Sequence, residues 1–177
     1  KYMDYDENGH ETLLVEQRGG APIPSGFPYV ISNELYNASV LADAFVTVRD
    51  FTPLPGDSGH QDDAARPRIE TRYVVTNGVA AIVARTWTRY TRLNRGGYDA
   101  IKTETWRAGA QGASAGDAGN SYSYKITYAD TGVGTPLLMR NAAAETLDEN
   151  GVLTVNAYSL TDNALTCTTR RYGPSSS

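Results

Sequence analysis

Serine, histidine and aspartate stand together once in this chain, at Gly56-Asp57-Ser58-Gly59-His60. A serine hydroxyl becomes a nucleophile only when a histidine takes its proton and a carboxylate fixes that histidine's orientation. The chain has two histidines, and the other, His10, falls in a turn sequence with no matching context. Triads are defined by geometry and not by one tetrapeptide, so a polar loop is the simpler reading of this stretch. Imidazole and thiolate ligands for a metal are confined to His10, His60 and Cys167. Oxygen ligands for Ca²⁺ could come from Asp57, Asp62 and Asp63, or from Asp4, Asp6 and Asn8 ahead of Gly9. The second set lacks the glutamate that closes an EF-hand loop, so solvated turn carboxylates are expected in both places. With 20 acidic residues some carboxylate pair is inevitable, and the count discriminates no glycosidase. No catalytic residue, metal or cofactor is assigned, and the reading leans away from an enzyme.

The aromatic residues are the more informative set. Trp87, Tyr98, Trp106, Tyr122, Tyr124 and Tyr128 are the candidate ligand-binding residues. Tyr122, Tyr124 and Tyr128 alternate, with Ile126, along one face of a predicted strand. An exposed row of such rings would stack on the apolar faces of sugars. Cross-strand packing within the sheet uses the same residue types and is favoured. Arg85, Arg89, Arg92 and Arg95 could form a basic stripe, but Glu70 and Glu104 are expected to pair with it. Cys167 alternates with Leu165 and is expected to be a small buried apolar residue.

These side chains need a sheet to hold them, and the stretch from Arg68 to Leu93 predicts one. Asn77-Gly78 between β-branched and aromatic runs is a strong hairpin signal. A two-residue loop there sets Thr76 opposite Val79, Tyr73 opposite Ile82, Arg72 opposite Val83 and Glu70 opposite Arg85. One face then carries Ile69, Thr71, Tyr73, Val75, Ala80, Ile82 and Ala84. Strands are also expected at 11–17, 44–52, 98–107, 121–128, 142–149, 152–160 and 165–172, with turns at 94–97 and Asp162-Asn163. Asn33-Glu34-Leu35 could start a short helix or an edge strand, and is read as a brief helical turn. Gly19 to Pro28 and Pro53 to Pro67 read as irregular loops, and the Gly/Ala-rich insert 108–120 as a flexible one. No segment sustains a helical period. The fold class is all-β: antiparallel hairpins and a meander, forming a sandwich or an open sheet with long polar loops.

At 177 residues the chain suits one β-rich domain, 1–177, with a linker-like tail at 174–177. Its net charge of -4 gives no electrostatic reason to expect nucleic acid. No run reaches membrane-spanning length, and no membrane insertion is expected. One cysteine excludes an intrachain disulfide framework and leaves the redox compartment open. Asn37-Ala38-Ser39 is a glycosylation sequon where the host performs that chemistry. The opening at Lys1 and the ending Pro174-Ser-Ser-Ser suggest a piece of a larger polypeptide.

Asp-Glu-Asn-Gly occurs twice, at 6–9 and 148–151, each time after an apolar or aromatic residue and before a predicted strand. Tyr128-Ala129-Asp130-Thr131-Gly132 is a looser third version. Tyr5-Asp6-Glu7-Asn8-Gly9 resembles the opening of the Rhs, or YD-repeat, family, which has Tyr-Asp, two residues and Gly before a strand. Leu147-Asp148-Glu149-Asn150-Gly151-Val152-Leu153-Thr154 keeps the Leu-Thr tail of that unit without its tyrosine. Thr168-Thr-Arg-Arg-Tyr172-Gly173 looks like the strand closing one unit. The resemblance covers the two ends of the chain and not 21–122. It implies ribbons of β-hairpins in large secreted or cell-surface bacterial proteins, a mechanical role without an active site. Gly-Asp-Ser-Gly also surrounds the nucleophile of chymotrypsin-like serine proteases, but they continue with Gly where His60 stands, after most of a double barrel.

The expectation is therefore a non-catalytic structural or interaction segment, secreted or at the cell surface. Its partners would be the remainder of a larger polypeptide, and glycans or another protein. A carbohydrate-binding β-sandwich is the alternative, and a hydrolase of unknown class trails it.

Overall fold

The structure, a computed structural model, describes residues 1–18, 29–31, 34–36, 38–59, 66–109, 114–130 and 135–174. His60, Asp62, Asp63, Asn37 and the whole predicted loop at 19–28 lie outside them. In chain order the strands are β1 (Tyr2–Tyr5), β2 (Glu11–Gln17), β3 (Tyr29–Ile31), β4 (Glu34–Tyr36), β5 (Asp43–Asp50) and β6 (Ile69–Thr76), then β7 (Val79–Arg95), β8 (Tyr98–Arg107), β9 (Ser121–Tyr128), β10 (Ala143–Leu147), β11 (Leu153–Thr161) and β12 (Ala164–Tyr172). Ten of them make one antiparallel sheet in strict chain order, with β1 and β12 at its two edges. Only β3 and β4 leave the meander, pairing with each other between β2 and β5. The all-β expectation holds in its open form. Of Asn33-Glu34-Leu35, Asn33 lies outside the described residues and Glu34–Tyr36 is a strand, the alternative to the helical turn; a short 3-10 segment follows at Ala38–Val40. Val30 opposite Leu35 and Tyr29 opposite Tyr36 explain the strand, since pairing outweighs a weak helical preference.

Tight turns set the register. Asn77 and Gly78, Gly96 and Gly97, and Asp162 and Asn163 all have positive φ at both central positions, the geometry whose twist matches a two-residue hairpin. A Cβ on Gly78 would also lie 2.9 Å from the backbone of Ser39, where the hairpin tip meets the 3-10 segment. Gly78→Ala is thus expected to cost about 1–2 kcal/mol from the left-handed conformation alone, with the Ser39 contact adding to it. Urea unfolding of the variant measures it, and an unchanged midpoint would contradict this account of the turn.

Thr76 faces Val79 and Tyr73 faces Ile82 as the turn dictates, but Arg72 then faces Ala84 and Glu70 faces Thr86. The expected Arg72–Val83 and Glu70–Arg85 pairs are therefore wrong by one residue. A bulge at Val83 supplies the extra residue and returns Trp87 to the inner face opposite Ile69. Without it Trp87 and Tyr73 would lie on opposite faces. One apolar cluster packs Leu13, Val15, Val46, Val48, Tyr73 and Val75 beneath Leu41, with Leu35 and Val40 against it. A second packs Ala100, Ile126, Tyr128, Met139 and Ala144. Cys167 is exposed, contrary to expectation. Almost every residue of β12 is exposed, Leu165 against the second cluster excepted, and β12 has a neighbouring strand on one side only.

Candidate functional site

Between the two clusters, strands β7, β8 and β9 carry the polar and aromatic residues singled out above. Register places them in rows: Trp87 opposite Trp106 opposite Tyr122, then Arg89 opposite Glu104 opposite Tyr124. Directly paired residues share a face, so all six point the same way. Trp87 and Tyr128 are buried, at 4% and 8% exposure, and offer little surface to a ligand. Trp106, Tyr122 and Tyr124 form a contiguous half-buried row, with centroids 5.3 Å and 6.1 Å apart and planes tilted 38° and 48°. Tyr98 belongs elsewhere, edge-on to Tyr128, which in turn meets Tyr158.

Glu104 organises this face, a role no local pattern announces. It is buried, and its Oε2 accepts from Arg89 Nε at 2.8 Å and lies 2.7 Å from Arg89 Nη2. Its Oε1 accepts from Lys102 Nζ at 2.9 Å and Tyr122 Oη at 2.7 Å. Burial alone would raise the carboxyl pKa, but hydrogen bonds from Lys102, Tyr122 and Arg89 outweigh it and hold the group below its ordinary value. Arg89 also lies over the Trp106 ring, and Lys102 over that of Tyr124. Tyr124 donates to Glu145 at 2.6 Å, and Arg95 contacts the same carboxylate. Burial and that bond push the Tyr124 hydroxyl up to about 12. Two tyrosine hydroxyls thus donate to carboxylates, Tyr122 to Glu104 and Tyr124 to Glu145.

The arginine stripe is paired in part as expected, through Arg89–Glu104. Arg85 instead donates to Thr71 Oγ1, while Glu70 takes Arg49 and Arg72. The bulge at Val83 moves Arg85 opposite Thr71, and the β5–β6 register sets Arg49 opposite Glu70.

Gly56-Asp57-Ser58-Gly59 does structural work along the edge of β7. β6 pairs with β7 only as far as Trp87, and the loop continues the pairing beyond it. Ser58 N–H donates to Tyr90 O, Ser58 Oγ accepts from Arg92 N–H at 2.7 Å, and Thr88 N–H donates to Arg68 O. Asp57 forms a buried ion pair with Arg68, 2.6 Å from Nε, and Arg68 lies 4.6 Å from the Tyr90 ring centroid. Asp57 is committed to that pair, and among the described residues no group of three His, Cys, Asp or Glu side chains is arranged to hold a metal. On the opposite face of the sheet, Thr103, Thr105, Ser123 and Lys125 line an open groove of about 460 Å³ beside the β10–β11 turn.

The insert 108–120 was expected to be flexible because it has no large side chain. Of it, 110–113 lie outside the described residues. Residues 114–120 are tied by polar bonds: Ser114 N–H and Oγ donate to Asp117, and Asn120 Nδ2 donates to Ser114 O.

The two Asp-Glu-Asn-Gly stretches share four hydrogen bonds, and the first adds a contact between His10 Nδ1 and Asp6 Oδ2 at 2.9 Å. In the first, Asp6 N–H donates to His10 O at 2.9 Å, and Gly9 N–H to Asp6 O at 3.0 Å. Asp6 Oδ1 accepts from Asn8 N–H at 2.9 Å and His10 N–H at 2.8 Å. In the second, Asp148 N–H donates to Val152 O at 3.1 Å, and Gly151 N–H to Asp148 O at 3.0 Å. Asp148 Oδ1 accepts from Asn150 and Val152 N–H, both at 2.9 Å. Gly9 and Gly151 have φ of 81° and 78°. Aspartate supplies the bonds and glycine the left-handed conformation.

No family model, curated protein or solved structure matches this chain. Function therefore rests on its own geometry. Among the described residues no helix is long and apolar enough to cross a membrane.

Proposed function

We propose that this chain is a structural or interaction segment of a larger β-hairpin repeat protein of the Rhs type, secreted or displayed at a cell surface. The repeated turn carries the reading: two stretches 142 residues apart, from Asp6 to Asp148, use the same four residues and the same four hydrogen bonds to join consecutive strands. An open meander in strict chain order is how such hairpins extend into a ribbon. The polar groups at the centre of the sheet bind one another, which suits a mechanical part.

Flanking sequence from the parent gene tests this directly. Further Tyr-Asp-x-x-Gly units on either side are expected, and flanks without them would overturn it. The turns give a test on the protein itself. Asp6→Ala and Asp148→Ala should each lower the thermal midpoint, because each deletes the same two side-chain acceptor bonds, and Asp6→Ala by more, because it also removes the bond to His10 Nδ1. A loss at one turn only would break their equivalence.

Carbohydrate binding is the second reading, favoured by the contiguous Trp106–Tyr122–Tyr124 row. The tilt between the rings and the commitment of Tyr122 and Tyr124 hydroxyls to Glu104 and Glu145 weigh against it. A glycan array read with tryptophan fluorescence decides. No binding is expected; binding lost on Trp106→Ala would install the second reading.

A further inference from the structure

The sheet's two edges are chemically different. β12 pairs with β11 over nine consecutive residues without a bulge, and it contains no proline or lysine. A long, flat, exposed edge of this kind is one that proteins ordinarily block or use. Its C-terminal half carries Arg170 and Arg171, both exposed, with no carboxylate at ion-pair distance among the described residues. The other edge, β1, is short and followed by acid: Asp4 in the strand, then Asp6 and Glu7 in the turn. Asp4 and Tyr5 are exposed.

We propose that a second copy of this chain docks its β1 against β12, so that the sheet continues head to tail from copy to copy. Direction permits it. The sheet has ten strands alternating in sense, so β12 of one copy meets β1 of the next, similarly oriented copy in the antiparallel sense. Faces agree as well. Asp4 pairs with Leu13 and that with Val48, on the face of the first apolar cluster. Arg170 pairs with Val155, that with Glu145, that with Ile126, and Ile126 with Lys102 on the same face. A register setting Asp4 opposite Arg170 therefore puts opposite charges on one face. The same register sets Tyr2 opposite Tyr172, also on that face, and Met3 opposite Arg171 on the other. Charge and aromatic pairs directly across strands are the contacts that select a register. Such a contact uses different patches on the two copies, so it propagates and does not stop at a dimer. On the repeat reading, flanking strands of a longer parent would take these same two edges, so the proposal concerns the 177-residue chain by itself: sedimentation tests it, and flanking sequence tests that reading.

Sedimentation velocity on the 177-residue protein across a concentration series tests it. A ladder of species growing with concentration is expected at low salt, shrinking as added salt screens the pair. Arg170→Glu and Asp4→Lys should each abolish the ladder with circular dichroism unchanged, both positions being exposed. Mixing the two variants should restore it, since each joint then again sets opposite charges together. A monomer at every concentration would overturn the proposal. So would a salt-insensitive dimer that never grows, the signature of β12 pairing with itself, or a ladder that survives both substitutions.

Discussion

Asp57→Ala should lower the unfolding free energy by about 3–5 kcal/mol, the range for removing one partner of a buried ion pair. The Asp57 and Arg68 side chains are 1% and 3% exposed. Removing the carboxylate takes from the buried guanidinium beside Tyr90 its 2.6 Å ion-pair contact. The same carboxylate accepts the Gly59 N–H at 2.7 Å, so the loop loses its anchor too. Arg68→Met alone should be comparably harmful, because Asp57 then stands buried without its cation. The double variant should recover part of the loss, since neither charge remains. A double-mutant cycle by urea denaturation measures the coupling, and strictly additive losses would show that the pair is not what holds the loop. Ser58→Ala is the control. It removes one bond to the Arg92 N–H and should cost about 1 kcal/mol.

That loop also marks the limit of what the sequence discloses. Strand positions were readable because alternation and turn chemistry are local: Tyr98–Arg107 and Ser121–Tyr128 begin and end where the side-chain pattern does. Asn77-Gly78 likewise announces its own turn. The bulge at Val83 carries no such mark, since Ala81 to Ala84 contains neither glycine nor proline and only the partner strand reveals the extra residue. Every consequence beyond it, including Arg85 opposite Thr71, was hidden with it. Asp57 and Ser58 standing in for a missing strand could not be read either, because the gap arises from β7 outrunning β6. Cys167 failed for a different reason. Alternation tells which residues share a face, but not whether anything covers that face. The aromatic residues were correctly placed on strands, yet their division into a buried part (Trp87, Tyr128) and a half-buried row (Trp106, Tyr122, Tyr124) follows from packing of neighbouring strands.

Glu104 is where packing and pH meet. Its carboxyl is held below the ordinary value of 4.5 in the folded chain. The folded state therefore binds the proton less readily than the unfolded chain does. The stabilisation is complete above the unfolded value and disappears as pH falls through the lower, folded one. Glu104→Gln keeps the length and an acceptor oxygen but removes the charge that Arg89 and Lys102 share. At neutral pH it should cost about 2 kcal/mol, within the range for hydrogen bonds to charged groups. Its deficit should narrow as the buffer is acidified below 4.5, because the wild-type side chain becomes neutral there as well. Tyr122→Phe removes one of the donors that hold the Glu104 carboxyl low, leaves both cations paired, and should produce a smaller loss with an acid slope weaker than the parent's but not abolished. Urea midpoints of the three proteins, taken from neutral pH downward, separate these outcomes. If wild type and Glu104→Gln ran parallel through that window, Glu104 would contribute shape and not charge, and the central face would be held by its rings alone.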